Sequence, residues 1–392
     1  MIQYRYLIVG GGMAADAAVR GIRSVDEKGS IGVISNDLHP PYKRPPLSKS
    51  LWKGESAETI WLPNSRQHVT LHLSRTAVSI DRNAHEVVDD RGERYRFERL
   101  LLATGGRVRT LPFDVEGILY YRTYADYTML RHRLVEGGSS VVIGGGFIGS
   151  EIAAALAMNG QHVTMIFPDS GVCGRIFPPR LSGFLNEYYT SKGVAVRPQQ
   201  RVTGITRKGS TYVVATSAGD EIRADVVVAG IGVEPDVTLA RTASIAVSDG
   251  ILVNDILQTS LPDVYAAGDA AEFFSPSLGM RIHVEHEDNA LAMGECAGRN
   301  MAGESEPYLH LPFFYSDLFD LGYEAVGELN SRYEIVEDWK EEFREGVIYY
   351  LDNQHIRGVL LWNTWGQVDN ARAMIREKEP ATPLSLKGLL PV

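Results

Sequence analysis

The chain has 392 residues, 44% of them hydrophobic and 22% charged, and its formal net charge is −10. This length predicts two or three domains, and the negative charge argues against general nucleic-acid binding, which needs a basic surface. Cys173 and Cys296 lie far apart, which argues against a disulfide framework, a metal site and a C-x-x-C redox pair. We therefore expect a protein of the reducing cytoplasm without a membrane-spanning helix.

The first predicted element is a glycine-rich turn between a strand and a helix. The apolar run YLIV precedes Gly10-x-Gly12-x-x-Ala15, an alanine-rich helical stretch and a second apolar run, IGVIS. In such a βαβ unit the helix N-terminus offers free N–H groups and partial positive charge to a pyrophosphate. The pattern predicts that a dinucleotide binds at Gly10, Gly12, Met13, Ala14 and Ala15.

The next segment, HPPYKRPPLSK, places four prolines around Lys43, Arg44 and Lys49. Proline fixes φ and removes a backbone donor, so this segment is neither a helix interior nor a central strand. It is either a rigid frame for solvated surface or a rigid frame directed at a bound cofactor.

A second glycine turn follows the buried strand RLLLATGG. Gly144-x-Gly146-x-x-Gly149 opens another alanine-rich helix, and Asp169 lies 20 residues after Gly149. A ribose-binding carboxylate is expected at this distance, although a solvated residue at a strand end would have the same position. Two complete βαβ units in one chain predict two dinucleotides, bound by two domains.

The rest of the chain suggests an internal duplication. Short strands after the second turn lead to ADVVVAGIG, whose AGIG corresponds to the earlier ATGG. VYAAGDAA is interpreted as a strand, a turn at Asp269 and a helix. Residues 306–392 are richer in aromatic side chains and hold 15 acidic against 8 basic residues.

Six motifs in this order resemble those of the FAD-dependent pyridine-nucleotide reductases that lack a redox disulfide: IVGGGMAA, PYKRPPLSK, LLATGG, VIGGGFIGSE, VYAAGDAA and VEHEDNA. That family includes ferredoxin reductases of oxygenase systems, putidaredoxin reductase and the oxidoreductase core of apoptosis-inducing factor. The resemblance spans nearly the whole chain. The 278–303 stretch and the later VLLWN look most similar to the apoptosis-inducing factor branch.

The resemblance implies an α/β fold with two Rossmann-like dinucleotide-binding domains, as in glutathione reductase, plus a C-terminal α+β domain. The FAD domain would be discontinuous, covering 1–110 and 240–305, with an NAD(H) domain at 111–239. Residues 306–392 would form the third domain, which we expect to serve dimerisation or acceptor binding, so a homodimer is one expectation.

The resemblance also implies the FAD contacts. Arg44 would pair with the phosphates and Lys49 would reach the flavin ring, so the proline-rich segment would be directed at the cofactor. Asn36 or Asp37 would hold the adenosine ribose, and Asp269 the ribityl chain. Trp362 would lie near the flavin, although core tryptophans are the commoner case. The other implied FAD contacts are Ala77, Thr104, Gly105, Arg122, Gly268, His286 and Glu287.

The NADH contacts follow in the same way. Glu151 would lie close to flavin and nicotinamide and pair with Lys49, and Asp169 would bind the ribose hydroxyls, which favours NADH over NADPH. Lys49, Glu151 and Trp362 are the predicted catalytic residues. The remaining predicted contacts are Gly144, Gly146, Phe147, Ile148 and Gly149 at the phosphates, Arg175 near the adenine, and Gly232 and Glu285 at the nicotinamide.

The implied activity is hydride transfer from NADH to flavin N5, followed by electron transfer to a small iron–sulfur protein such as ferredoxin or rubredoxin. One alternative is an NADH-sensing switch of the apoptosis-inducing factor type, with a long-lived reduced flavin–NAD+ charge-transfer complex. Another is a reductase of quinones or monodehydroascorbate-like molecules. Because the C-terminal segment is acidic, an acidic ferredoxin is expected to dock at the basic surface around Lys43 and Lys53.

Overall fold

The computed structural model describes residues 2–63, 68–377 and 379–391. Its strands are β1 Ile2–Val9, β2 Ile31–Ile34, β3 Val69–His72, β4 Ala77–Asp81, β5 Glu86–Asp89, β6 Arg94–Leu102, β7 Gly106–Val108, β8 Leu119–Tyr120, β9 Ser139–Ile143, β10 His162–Ile166, β11 Ala195–Arg197, β12 Val202–Lys208, β13 Thr211–Thr216, β14 Glu221–Ala224, β15 Val226–Ala229, β16 Val233–Pro235, β17 Ile251–Leu252, β18 Val264–Ala266, β19 Ala271–Ser275, β20 Met280–His283, β21 Phe313–Leu318, β22 Leu321–Gly327, β23 Glu334–Glu341, β24 Glu345–Asp352 and β25 His355–Trp362.

The helices are α1 Met13–Val25, α2 Tyr124–Arg133, α3 Phe147–Met158, α4 Pro179–Ser191, α5 Thr238–Thr242, α6 Glu287–Met301, α7 Val368–Glu377 and α8 Pro383–Leu386. Short 3-10 helices occur at Pro45–Ser48, Ser50–Lys53, Ala57–Ile60 and Gly268–Ala270. Within the described ranges, no helix combines the length and the apolar character that crossing a bilayer requires.

The chain divides into two compact units. The first comprises Met1–Lys43, Ala57–Arg107 and Glu234–Phe313, and the second comprises Arg44–Ser56, Val108–Val233 and Phe314–Val392. Both units are therefore discontinuous in sequence. The division into three domains with the boundaries given above stays a prediction.

The first unit is built on a parallel sheet in the order β3-β2-β1-β6-β18, with β5 and β4 added in antiparallel orientation. Helices α1 and α6 pack closely on each other. A Cβ on Gly21, Gly294 or Gly298 would collide with a carbonyl oxygen of the opposite helix. The small side chains therefore let the two backbones approach, which holds the N-terminal end of α1 in place.

The second unit repeats this arrangement and adds two antiparallel sheets. Its parallel sheet has the order β11-β10-β9-β15-β8. The strand before ATGG, β6, pairs with β1, and the strand before AGIG, β15, pairs with β9. The two segments therefore hold equivalent positions, as the duplication requires. The smaller sheet is β12-β13-β14, and the C-terminal sheet is β21-β22-β25-β24-β23.

The structure corrects one predicted element. The helix expected after Asp269 is absent at that place, because the 3-10 turn Gly268–Ala270 continues directly into strand β19. The sequence AEFFS pairs there with β20 in antiparallel register. The next helix, α6, begins at Glu287.

Candidate functional site: two helix N-termini and a buried ion pair

The first glycine turn in the first unit has the form that a phosphate site needs. Gly10 has φ +121°, and a Cβ there would collide with the carbonyl oxygen of Ala103, so the turn packs tightly on the end of β6. A Cβ on Gly12, by contrast, would meet nothing within 4 Å. The first N–H groups of α1 therefore border open space that a phosphate can enter.

Asp269 lies close to this turn. Gly268 has φ +74°, and a Cβ on it would lie 3.0 Å from the Cβ of Ala14 in the first turn of α1. The Gly268 N–H also contacts the Sδ of Met293 at 3.3 Å. The structure thus brings together two motifs that are more than 250 residues apart in the sequence, and Asp269 remains partly exposed beside them.

The two candidates for the FAD ribose differ in their surroundings. Asp37 accepts hydrogen bonds from the Tyr42 hydroxyl at 2.8 Å and from the His39 N–H at 3.0 Å, so its carboxylate orders the loop that follows β2. Asn36, two residues after the end of β2, is exposed. Asn36 is therefore the more exposed of the two candidates.

The other predicted residues of the first unit lie just before α6 or at its start, just after β6, and at the start of β4. His286 precedes the first residue of α6, Glu287, and desolvation lowers its pKa to about 4, so the ring is neutral at physiological pH. Glu285 is exposed, with a carboxylate oxygen 3.7 Å from Nε2 of His283. Thr104 donates to the Asp236 carbonyl at 2.6 Å, Gly105 has φ +66°, and Ala77 begins β4.

The second glycine turn, in the second unit, borders a cavity of about 480 Å³. Gly144 has φ +120°, and a Cβ there would collide with the Gly230 carbonyl oxygen, whereas a Cβ on Gly146 would meet nothing within 4 Å. This is the geometry of the first turn again. The predicted residues that line the cavity are Gly144, Gly146, Phe147, Asp169, Arg175 and Gly232. Ile148 is exposed and Gly149 is buried in the first turns of α3.

Asp169 and Arg175 form an ion pair at this cavity. The Arg175 Nε lies 3.3 Å from Oδ1 of Asp169, and the two side chains are 79% and 35% exposed, respectively. The carboxylate is therefore available to ribose hydroxyls, and a cation stands beside it.

Lys49 and Glu151 form a buried ion pair, also in the second unit. The Lys49 Nζ lies 2.6 Å from Oε1 of Glu151, with only 10% and 4% of the side chains exposed. The proline-rich segment holds Lys49 there, because the Tyr121 hydroxyl and the Trp52 indole N–H both donate to the Leu47 carbonyl.

Arg44 and Arg122 are linked as well, since the Arg44 guanidinium donates to the Arg122 carbonyl at 2.9 Å. Among the residues of the second unit, the structure therefore joins Arg44 to Arg122 and Lys49 to Glu151, as well as Asp169 to Arg175.

Three residues around the ion pair are absent from the sequence-based prediction. The Ser48 hydroxyl donates to Oε2 of Glu151 and the Ser316 hydroxyl to Oε1, both at 2.5 Å. The ring of Tyr315 lies 5.4 Å from the Lys49 ammonium. Ser48 is adjacent to Lys49 within a recognised motif, which could have drawn attention to it. Tyr315 and Ser316 come from β21, and no local pattern indicated this contact.

Trp362 lies inside the second unit. It is fully buried, stacks on Tyr323 at 5.8 Å between ring centroids, and donates its indole N–H to the Phe343 carbonyl at 3.0 Å. Its place near the flavin and its catalytic role stay predictions. Its place is in the core of the second unit, because the whole run VLLW in β25 is buried.

Comparison with known proteins agrees with this geometry. Residues 4–294 match the sequence profile described as pyridine nucleotide-disulphide oxidoreductase. The chain belongs to this family. Residues 297–340 and 330–377 match the C-terminal profile of mitochondrion-associated apoptosis-inducing factor.

The family members most similar to this chain include enzymes and an apoptosis-inducing factor. This chain is 34% identical to mitochondrial apoptosis-inducing factor 1 of Dictyostelium discoideum, and the alignment covers 98% of this chain and 80% of that protein. It is 33% identical to rubredoxin-NAD(+) reductase of Pseudomonas putida, covering 83% and 87%. The solved structure of a covalent putidaredoxin reductase–putidaredoxin complex matches with TM-score 0.90 and 29% identity, covering 98% of this chain and 95% of that one.

The chain is accordingly an FAD-dependent oxidoreductase that uses NAD(H), and the two open helix N-termini fit the two dinucleotides. The disulfide chemistry in the family's description does not fit this member. Cys173 and Cys296 are free and buried, and burial raises their pKa values to about 12 and about 11. Neither thiol has the lowered pKa that a reactive cysteine requires.

Proposed function

We propose that this oxidoreductase passes electrons from NADH to a small iron–sulfur protein. The observation that carries the proposal is the buried Lys49–Glu151 pair. Its Glu151 lies on α3, the helix whose N-terminus borders the cavity at Gly146 and Phe147. A buried, fully paired charge beside a dinucleotide site can orient a ring and tune its electrostatics without becoming a base itself. The relatives named as rubredoxin and putidaredoxin reductases support the choice of acceptor.

Each group has its own task in this proposal. FAD, when bound, supplies the chemistry by accepting a hydride at N5 and releasing electrons to the acceptor. The turn from Gly144 to Gly149 holds the NADH pyrophosphate at the positive end of α3, and Asp169 accepts hydrogen bonds from the adenosine ribose. The Lys49 ammonium favours added negative charge on the flavin ring, while Glu151 keeps that ammonium in one place.

In the first unit we propose that the N-terminus of α1 holds the FAD pyrophosphate and that Asp269 holds the ribityl chain. Asn36 binds the adenosine ribose. These roles are supported by the open space at Gly12 and by the packing of Gly268 on Ala14.

Anaerobic stopped-flow mixing tests the acceptor. The protein is reduced with one equivalent of NADH and then mixed with ferredoxin, rubredoxin, a quinone or oxygen, and flavin absorbance is followed. We expect fast reoxidation by an iron–sulfur protein and slow reoxidation by the others. Fast reoxidation by the quinone alone would instead assign a small-molecule reductase.

The similarity to apoptosis-inducing factors supports one second candidate, an NADH-sensing switch. Slow reoxidation by every acceptor, together with a long-wavelength absorbance band that persists after NADH addition, would favour it over the reductase. We also propose a cytoplasmic location, supported by two free buried thiols, which cell fractionation tests. A homodimer stays a prediction that sedimentation analysis can check.

A further inference from the structure

Glu151 is held by more than its ion pair. Its carboxylate accepts from the Lys49 ammonium and the Ser316 hydroxyl at Oε1, and from the Ser48 hydroxyl at Oε2. Glu151 and the two serines are all buried, with 4%, 1% and 6% of their surfaces exposed for Glu151, Ser316 and Ser48. Both oxygens of the buried Glu151 carboxylate therefore have protein donors.

The three donors come from different parts of the chain. Ser48 and Lys49 belong to the proline-rich segment, which is rigid for local reasons. Ser316 belongs to β21, at the edge of the C-terminal sheet, and lies 165 residues from Glu151 in sequence. The neighbouring Tyr315 presents its ring to the Lys49 ammonium at 5.4 Å. One strand of the C-terminal sheet thus contacts both members of the ion pair.

These contacts have a physical consequence for the ammonium. In a low-dielectric environment, a carboxylate with a single partner can rotate, and a long lysine side chain can follow it. A second donor on the same oxygen limits the rotation of the carboxylate, and an aromatic face limits the movement of the ammonium. Without these contacts the charge of Lys49 would be spread over several positions.

We propose that Ser316 is a positioning residue, which fixes the Lys49–Glu151 pair and thereby sets the reduction potential of the bound flavin, with Tyr315 as its auxiliary. This inference rests on the proposed role of Lys49 beside the flavin ring. It gives the C-terminal sheet an indirect part in the hydride step, through the ion pair, in addition to any part in binding an acceptor.

The central experiment removes the Ser316 hydroxyl with the smallest possible change to the fold. For Ser316→Ala we expect flavin reduction by NADH to slow about tenfold, which corresponds to about 1.4 kcal/mol and lies near the range for a hydrogen bond to a charged group. The flavin potential is expected to move in the same direction as in Lys49→Ala, but less far. Ser316→Thr keeps the hydroxyl and is expected to restore the wild-type potential.

A matched control separates positioning from general loss of packing. Ser140 is equally buried, at 1% exposed, but its hydroxyl donates to a neutral partner, the Gln161 amide oxygen at 3.4 Å. Ser140→Ala is expected to lower stability without changing the flavin potential. If Ser140→Ala and Ser316→Ala shift the potential equally, the positioning role is refuted.

A double-mutant cycle tests whether Ser316 acts through the ion pair. In a Glu151→Ala background, Ser316→Ala is expected to cause no further change in potential, whereas additive changes would overturn the proposal. If Ser316→Ala does not fold, Tyr315 provides the test. Tyr315→Phe is expected to keep the wild-type potential and Tyr315→Leu to shift it, and equal potentials in both would count against the inference.

Different results would refute the positioning role of Ser316 and the proposed function. If the wild-type protein binds FAD and is reduced by NADH, but Ser316→Ala leaves the potential unchanged, only the positioning role falls. If the wild-type protein is not reduced by NADH, the proposed function itself falls.

Discussion

The Asp169–Arg175 pair predicts how strongly the protein prefers NADH. NADPH differs by a 2′-phosphate with about −1.5 to −2 charges, taking the usual phosphate values. In our proposal that phosphate would lie beside the Asp169 carboxylate. Two unit charges about 4 Å apart interact by about 1 kcal/mol in water and about 4 kcal/mol at an effective dielectric constant of 20.

The exposure of the pair decides which value applies. Arg175 is 79% exposed and Asp169 is 35% exposed, so water screens both charges, and the smaller value is the better guide. Arg175 also offsets part of the repulsion from 3.3 Å away. We therefore expect a net preference of about 1–2 kcal/mol, which is about five- to thirtyfold in kcat/KM.

The assay compares kcat/KM for the two donors, using an artificial electron acceptor under steady-state conditions. Asp169→Asn is expected to bring the two values close together, and Arg175→Ala to widen the preference for NADH. Flavin content serves as the control and should be unchanged in both variants. A higher kcat/KM for NADPH in the wild type, or an unchanged ratio in Asp169→Asn, would refute the reasoning.

Three further predictions concern the cofactor and pH. Asp269→Ala should sharply lower the FAD content of the purified protein, measured from the flavin absorbance relative to protein, and full occupancy would reject its ribityl role. Lys49→Ala should lower the flavin potential and slow reduction by NADH, because a cation that favours the reduced ring is lost; an unchanged potential would make Lys49 purely structural. His286 has its folded pKa lowered to about 4 from 6.5, so the unfolded chain binds more protons between these pH values. The apoprotein should therefore lose stability as pH falls from about 6.5 to about 4, and His286→Gln should reduce this loss in urea titrations; an equal loss in both proteins would contradict the assignment.

The local features of this protein follow from its sequence alone. Both glycine turns were predictable, because positive φ at Gly10 and Gly144 and the close approach of backbone to backbone depend on the absence of a Cβ. The rigidity of the proline-rich segment is equally local. The matching strand pairings of β6 with β1 and of β15 with β9 agree with the predicted duplication.

Which side chains meet, by contrast, depends on the tertiary packing. Ser316 contacts Glu151 although the two residues are 165 positions apart in the sequence. This contact depends on how the C-terminal sheet packs, and no periodicity in the sequence predicts it. The same packing buries Trp362 against Tyr323, which the VLLWN motif alone did not indicate. The segment after Asp269 became a strand because β20 was available as a partner. In each case long-range burial and pairing, which no local pattern encodes, determined the environment of the residue.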